Sequence, residues 1–308
     1  MRAGGIRAGL TGDKNGAPLA GKVAHGFWTN GDDMNNKPIG VFDSGVGGLT
    51  AVKELHKILP HEDILYFGDT GRVPYGTRSR ETILKYAAQD IQYLLSNKVK
   101  AVVIACGTVS ANVNDELLRR MGVNVPCTGV VLPATRAACA LSATGRIGVI
   151  ATTAAIRSGA YGRAMHSIRP SAKVFGNAAP LFVPLVENGL TDYHNQITRL
   201  TAQMYLEPLV REKIDTLILG CTHFPLLYDI INDILDYRVA LIDSGAQAAQ
   251  YIKSLLCEQT LLSDRTTPGS TLYRVTDTVE SFVGVAGMFL GEDVKGLVEH
   301  VELEAIGG

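Results

Sequence analysis

From Pro38 onward one rhythm repeats: a run of four or five aliphatic residues, a polar or glycine-rich turn, then apolar residues three and four apart. The runs read as buried parallel strands, and the spaced residues as helices packed over them. Ile39-Gly-Val-Phe-Asp43 is the first strand and Ser44-Gly-Val-Gly-Gly48 the turn after it. Leu49, Val52, Leu55, Ile58 and Leu59 form the stripe of a helix stopped by Pro60. The next strand, over residues 64–67, leads through Gly68-Asp-Thr and Pro74-Tyr-Gly76 to Ser79, which can cap a helix reaching about residue 95. A third strand starts at Ala101, residues 112–121 read as helical, and residues 123–131 carry the chain onward.

Ile147-Gly-Val-Ile-Ala151 restarts the pattern, followed by Thr152-Thr153 and a helix through Ile156, Tyr161 and Met165. Residues 181–189 read as a loop, residues from about 192 to 211 as a long helix, and Thr216-Leu-Ile-Leu as another strand. From Asp43 to Cys106 is 63 residues and from Thr152 to Cys221 is 69, which is a weak internal repeat. The expected class is therefore α/β: two similar doubly wound domains with mainly parallel sheets, related by a pseudo-two-fold axis, with the active site in the cleft between them. The last stretch carries a strand at 272–275, a helix over 279–290 and a segment at 297–303. It should return to the first half, where one of its strands finishes the sheet. The expected division is a disordered extension over 1–33, a first domain of 34–129 plus 245–308, and a second of 130–244.

Charge and composition narrow the function. Twenty-nine Lys and Arg against thirty Asp and Glu leave a net charge of −1, which gives no electrostatic case for nucleic acid or an anionic membrane. No apolar run approaches the roughly 20 residues of a membrane span, and the N-terminus lacks a signal-peptide core, so a cytoplasmic location is expected. Five cysteines with no Cys-x-x-Cys suit a reducing compartment and offer neither a disulfide framework nor a zinc site. Gly16-Ala-Pro-Leu-Ala-Gly21-Lys22 imitates a phosphate-binding loop, but Val23 stands where a magnesium-ligating hydroxyl belongs and no strand precedes it.

Cys106 and Cys221 carry the chemistry. Cysteine is among the most buried residue types, and Cys127, Cys139 and Cys257 are read as packing. The other two each follow a buried strand and precede hydroxyl residues or amides, at the strand end where doubly wound folds bind ligands. Asp43 can cap the first helix, face a ligand ammonium or polarise Cys106. His223, two residues past Cys221, can exchange a proton with it near neutral pH. Glu187 reads first as a surface or capping carboxylate, and the repeat makes it a counterpart of Asp43. Ser44, Tyr75, Gly76, Thr108, Thr153 and Thr222 can supply hydroxyl and amide donors. Two thiols facing one cleft suggest removal of a proton from one face of a carbon and delivery to the other, as in a racemase or epimerase. A thiol titrating near ~8.5 is a weak base for an α-carbon proton, so the site must stabilise a carbanion.

Together, Asp43-Ser-Gly-Val-Gly-Gly48, Gly68-Asp-Thr with Pro74-Tyr-Gly-Thr-Arg-Ser79, Ala105-Cys106-x-Thr108, Pro184-Leu-Val-Glu187-x-Gly189 and Gly220-Cys-Thr-His-Phe-Pro225 resemble the glutamate racemases over about residues 37–303. The resemblance implies a cofactor-independent, metal-free isomerase that makes D-glutamate for peptidoglycan, and so for cell-wall biogenesis and cell shape. Cys106 would take the proton from D-glutamate and Cys221 from L-glutamate, with Asp43, His223 and Glu187 assisting. Asp43, Ser44, Pro74, Tyr75, Gly76, Gly107, Thr108, Thr153, Thr222 and His223 would contact the substrate. The expected partner is glutamate, not nucleic acid or membrane, and the resemblance leaves room for a homodimer.

One departure bears on the site. The family usually has Asn directly after the first cysteine, where this chain has Gly107, and Ala is common where it has Val109. An Asn there contacts substrate, so its loss removes a hydrogen bond worth on the order of 1 kcal/mol, and rate or preference should differ. Competing readings are a racemase of aspartate or a hydantoin, a one-thiol decarboxylase, and a two-domain protein that binds a small anion without turning it over.

Overall fold

The aliphatic runs form two all-parallel sheets whose strand ends face each other. The structure, a computed structural model, describes residues 34–303. The expected extension over 1–33, with the discounted phosphate-loop lookalike, lies outside them. In the first part of the chain β1 (Ile39–Asp43), α1 (Leu49–Ile58), β2 (Ile64–Gly68), α2 (Arg80–Ser96) and β3 (Ala101–Ile104) alternate. They are followed by α3 (Gly107–Ser110), α4 (Asp115–Arg120), β4 (Cys127–Gly129) and α5 (Val131–Leu141). The second series is β5 (Arg146–Ala151), α6 (Thr153–Ser158), α7 (Ala160–Ile168), β6 (Lys173–Ala178), α8 (Phe182–Glu187), α9 (Gln196–Arg211) and β7 (Thr216–Leu219). The chain ends through α10 (Tyr228–Ile234), β8 (Ala240–Asp243), α11 (Ser244–Glu258), β9 (Thr271–Val275), α12 (Val279–Leu290) and β10 (Val298–His300).

One sheet has the order β10-β9-β2-β1-β3-β4 and the other β6-β5-β7-β8. The run β2-β1-β3-β4 and the run β6-β5-β7-β8 share one winding, so the repeat seen in the sequence is a repeat of topology. In each, the winding reverses beside the first strand, between β1 and β3 and between β5 and β7. Crevices at such reversals, at the carboxyl ends of the strands, are where open α/β sheets bind ligands. Both β9 and β10 extend the first sheet, where one returning strand was expected.

Alternation along the strands makes the layers. Ile39, Val41, Ala101 and Val103 face a central core with α1, α11 and α12, and that core continues through Leu217 and Leu219 of the second sheet. Phe42, Val102 and Ile104 point the other way into a layer under α2, while Ile147, Val149 and Ile218 face α5 and α7. Side-chain oxygens of Ser79, Asn114, Thr152 and Asn195 accept N–H bonds that open α2, α4, α6 and α9.

Several elements depart from the expected pattern. Residues 181–189 are not a loop: Phe182–Glu187 is a helix, short enough for Pro184 to sit in its first turn, where no N–H is needed. The helix expected over 112–121 is only α4, which starts at Asp115 because Asn114 caps it, and a separate turn of helix, α3, lies before it. The one through Tyr161 is broken at Gly159, which is left-handed at φ +67°. The long helix starts at Gln196, not near 192, because Asn195 caps it. β6 and β8, at the two edges of their sheet, and the small-residue helix α5 carry too weak a stripe to be read from pattern alone.

Candidate active site

A cavity of about 400 Å³ opens where the carboxyl ends of β1, β3, β5 and β7 meet. Cys106 and Cys221 both line it, with Ser44, Pro74, Tyr75, Gly76, Gly107, Thr108, Thr153, Glu187, Thr222 and His223. Thr152, Thr77, Val73, Pro180, Val183 and Pro184, which the sequence reading passed over, complete much of the wall. A wider groove of about 670 Å³ holds a single cysteine, Cys127, and no histidine. The chemistry selects the smaller cavity.

Register places the two thiols equivalently. Phe42 pairs with Ile104 and Ile150 with Leu219, and each cysteine lies two residues beyond the second member of its pair. By the same register the counterpart of Asp43 is Ala151. Glu187, expected in that role, instead ends the helix that follows β6.

Cys106 is buried, and its Sγ lies 3.3 Å from the Ser44 Oγ. Burial first, then the Asp43 charge, push its thiol up to about 12, against the pull of Ser44 and nearby amides. Asp43 is not part of the cavity lining. Its Oδ2 accepts the Gly45 N–H at 2.9 Å, and its Oδ1 has no hydrogen-bond partner. Burial raises this carboxyl, opposed by His223 and by the Gly45 and Gly48 amides.

Cys221 has a different neighbour. Its Sγ is 3.8 Å from Nδ1 of His223, whose Nε2 is 2.9 Å from Oε1 of Glu187. Burial alone would lower the imidazole, but Cys221 and Glu187 overcome it and raise His223 to about 10. The ring is held edge-on by Phe289 of α12, at 5.4 Å between centroids.

Residues 48–252 match the Asp/Glu/Hydantoin racemase family. A glutamate racemase of Geobacter metallireducens is 44% identical over 269 residues, covering 87% of this chain and 98% of that protein. A glutamate racemase of Francisella tularensis, solved in complex with D-glutamate, superposes with a TM-score of 0.81 at 42% identity, covering 88% of this chain and 99% of that one. Glutamate racemase isoform RacE1 of Bacillus anthracis gives 0.82 at 36% identity, covering 87% and 98%. The chain belongs to this family.

It is an amino-acid racemase, and its two halves meet tightly around the cavity. The Thr108 and Thr152 hydroxyls are 2.9 Å apart, and the Thr50 hydroxyl donates to the Thr222 carbonyl at 3.0 Å. A Cβ on Gly107 would stand 2.3 Å from the Gly220 carbonyl oxygen, so the two cysteine-bearing turns approach backbone to backbone. A Cβ on Gly47 would stand 2.2 Å from Thr222 Oγ1 and 2.5 Å from the His223 ring. The racemase therefore has no room for the family's usual Asn at 107 in this arrangement. Tyr75 corrects a further expectation: its hydroxyl bonds to Asp69 and Asp90 behind the wall, so its ring, not its hydroxyl, serves the cavity. Among the described residues no group of three or more His, Cys, Asp or Glu is arranged to hold a metal ion, and no helix is long and apolar enough to cross a membrane.

Proposed function

We propose that this racemase interconverts L- and D-glutamate without a cofactor, with Cys106 and Cys221 as opposed acid and base, and supplies D-glutamate for peptidoglycan in the cytoplasm. The observation that carries the reading is that two cysteines at equivalent strand ends line one cavity. From L-glutamate, the Cys221 thiolate takes the α-proton, and the Cα–H electron pair passes into the α-carboxylate. The Cys106 thiol then protonates the opposite face, leaving Cys106 as thiolate and Cys221 as thiol; the reverse path starts from D-glutamate. His223, cationic through Glu187 and Cys221, can donate toward the Cys221 sulfur and hold negative charge there. Asp43 acts on Cys106 through its charge. No Lys or Arg lines the cavity, so carboxylates are held by hydroxyls such as Ser44, Thr108, Thr152 and Thr222 and by backbone N–H groups.

Incubation in deuterated water tests this. Wild type should place deuterium at Cα and lose optical rotation. Cys106→Ser and Cys221→Ser should each lower racemisation by about 1,000-fold or more, within the range for removing a general acid or base. Normal racemisation by both single variants would overturn the two-base mechanism, and exchange of aspartate but not glutamate would overturn the substrate.

A further inference from the structure

The cavity wall formed by Pro74, Tyr75 and Gly76 is held from behind by a buried polar cluster outside the catalytic groups. The Tyr75 hydroxyl lies against Oδ2 of Asp69 and is 2.9 Å from Oδ2 of Asp90, and all three side chains are buried. Arg72 bridges the carboxylates, with Nε 2.6 Å from Asp69 and Nη2 2.6 Å from Asp90, and its guanidinium stacks over Tyr86. Asp69 also accepts from the Thr276 hydroxyl at 2.8 Å. The cluster joins the end of β2, the turn after it, α2 and the end of β9.

Proton counting fixes its state. Tyr75 has one hydroxyl proton and two carboxyl oxygens beside it, so it can donate to only one. The other contact is a hydrogen bond only if that carboxyl is protonated and donates to the phenol oxygen. Asp69 already receives donors from Arg72 and Thr276, whereas Asp90 receives one from Arg72 alone. We infer that Asp90 is a protonated positioning residue, donating to Tyr75 while Tyr75 donates to Asp69, so that a neutral latch fixes one wall of the substrate cavity. Burial, then the Asp69 charge, raise the Asp90 carboxyl well above its usual range against the pull of Arg72. The other groups facing the cluster are Lys85, Tyr86 and Gln89 of α2, with Gln89 bonded to Arg72.

The catalytic arm of the test rests on the racemase reading; the stability arm does not. A carboxyl whose pKa is raised on folding contributes stability that is full below its unfolded value and lost as pH rises toward the folded value. Thermal and denaturant unfolding of wild type and Asp90→Asn should therefore diverge above about pH 4, wild type losing up to tenfold in its folding equilibrium per pH unit relative to the variant until Asp90 ionises. Asp90→Asn, whose amide can donate to Tyr75 as the acid does, should keep KM for glutamate within about twofold at pH 7. Asp90→Ala should raise KM about tenfold with a smaller change in kcat, and Asp69→Asn should lower Tm by leaving Arg72 without a full counter-charge. Parallel stability curves for wild type and Asp90→Asn over pH 4–9, or a KM in Asp90→Asn as poor as in Asp90→Ala, would overturn the inference. A wild type inert toward glutamate but with diverging curves would sink the substrate reading and leave the latch standing.

Discussion

Cys106 and Cys221 occupy equivalent positions in two sheets of the same winding, yet their surroundings are built on different principles. The first thiol is pushed up by burial and by a carboxylate it does not touch, with Ser44 Oγ 3.3 Å away. The second stands 3.8 Å from an imidazole that is itself bonded to a carboxylate. The shared topology brings two strand ends to one cavity, and the side chains on the following turns give the two thiols different surroundings. On the proposed two-base mechanism the two sulfurs exchange roles each time the substrate changes hand, so this inequality would have to be reversible at modest cost.

Breaking the His223 side should have the larger effect. His223→Gln is expected to cut kcat about 100- to 1,000-fold, and Ser44→Ala only a few-fold. The products are mirror images, so the equilibrium constant is one and kcat/KM must fall equally in both directions. The asymmetry will instead appear as unequal deuterium wash-in to unreacted L- and D-glutamate. Equal wash-in from both enantiomers in His223→Gln would remove the distinction between the two sulfurs. Next in size are the seam glycines. Gly107→Asn, which restores the family's usual residue, must force the Gly220 carbonyl away from 2.3 Å and should cost about 1–3 kcal/mol of stability as overpacking. Unchanged Tm and turnover would mean that the halves close less tightly than they do here.

Much of this frame was legible along the chain. The strand–turn–helix rhythm, the repeat and the two strand-end thiols follow from residue type and spacing, because buried parallel strands leave continuous aliphatic runs. The six-residue helix ending at Glu187 was not legible, since one and a half turns carry no period and Pro184 reads as a breaker. Nor was the place of Glu187 itself: contact with His223 is set by packing across 36 residues of sequence. Thr152 was hidden behind its neighbour Thr153, though as the cap of α6 it was the residue fixed to the strand end. Asp90 did leave a signal. It shares the buried face of α2 with Ile83, Ala87, Ile91 and Leu94, and a charge on an apolar stripe marks a buried partner. Gly107 and Gly47 were visible as glycines, but what they press against belongs to the other half of the chain.

The pH dependence of stability sharpens the contrast further. His223 is raised on folding to about 10 from its ordinary value of 6.5, by Cys221 and Glu187 working against burial. A histidine raised in this way contributes stability that is fully present below pH 6.5 and is lost as pH rises through about 10. The stability difference between wild type and His223→Gln should therefore shrink across that window, by at most about 1.4 kcal/mol per pH unit. A difference independent of pH between 6 and 10 would mean the imidazole is neutral and cannot support the Cys221 sulfur by charge.

The smallest expected effect lies on the Cys106 side of the seam, where Thr108 meets Thr152 at 2.9 Å. Thr108→Ala removes this bond and the hydroxyl offered to substrate, and should cost about 1 kcal/mol of stability or less, with a few-fold rise in KM. Thr152→Ala removes the same bond together with the cap on Ala155 N–H, and should cost about 1–2 kcal/mol. If the bond between the halves is the shared element, the double variant will cost less than the sum of the singles, by about the worth of one hydrogen bond. Strict additivity would mean that Thr108 and Thr152 do not share a bond that matters, and would leave the Cys106 side of the seam to the backbone contact at Gly107, a wall held by shape, not by this hydrogen bond.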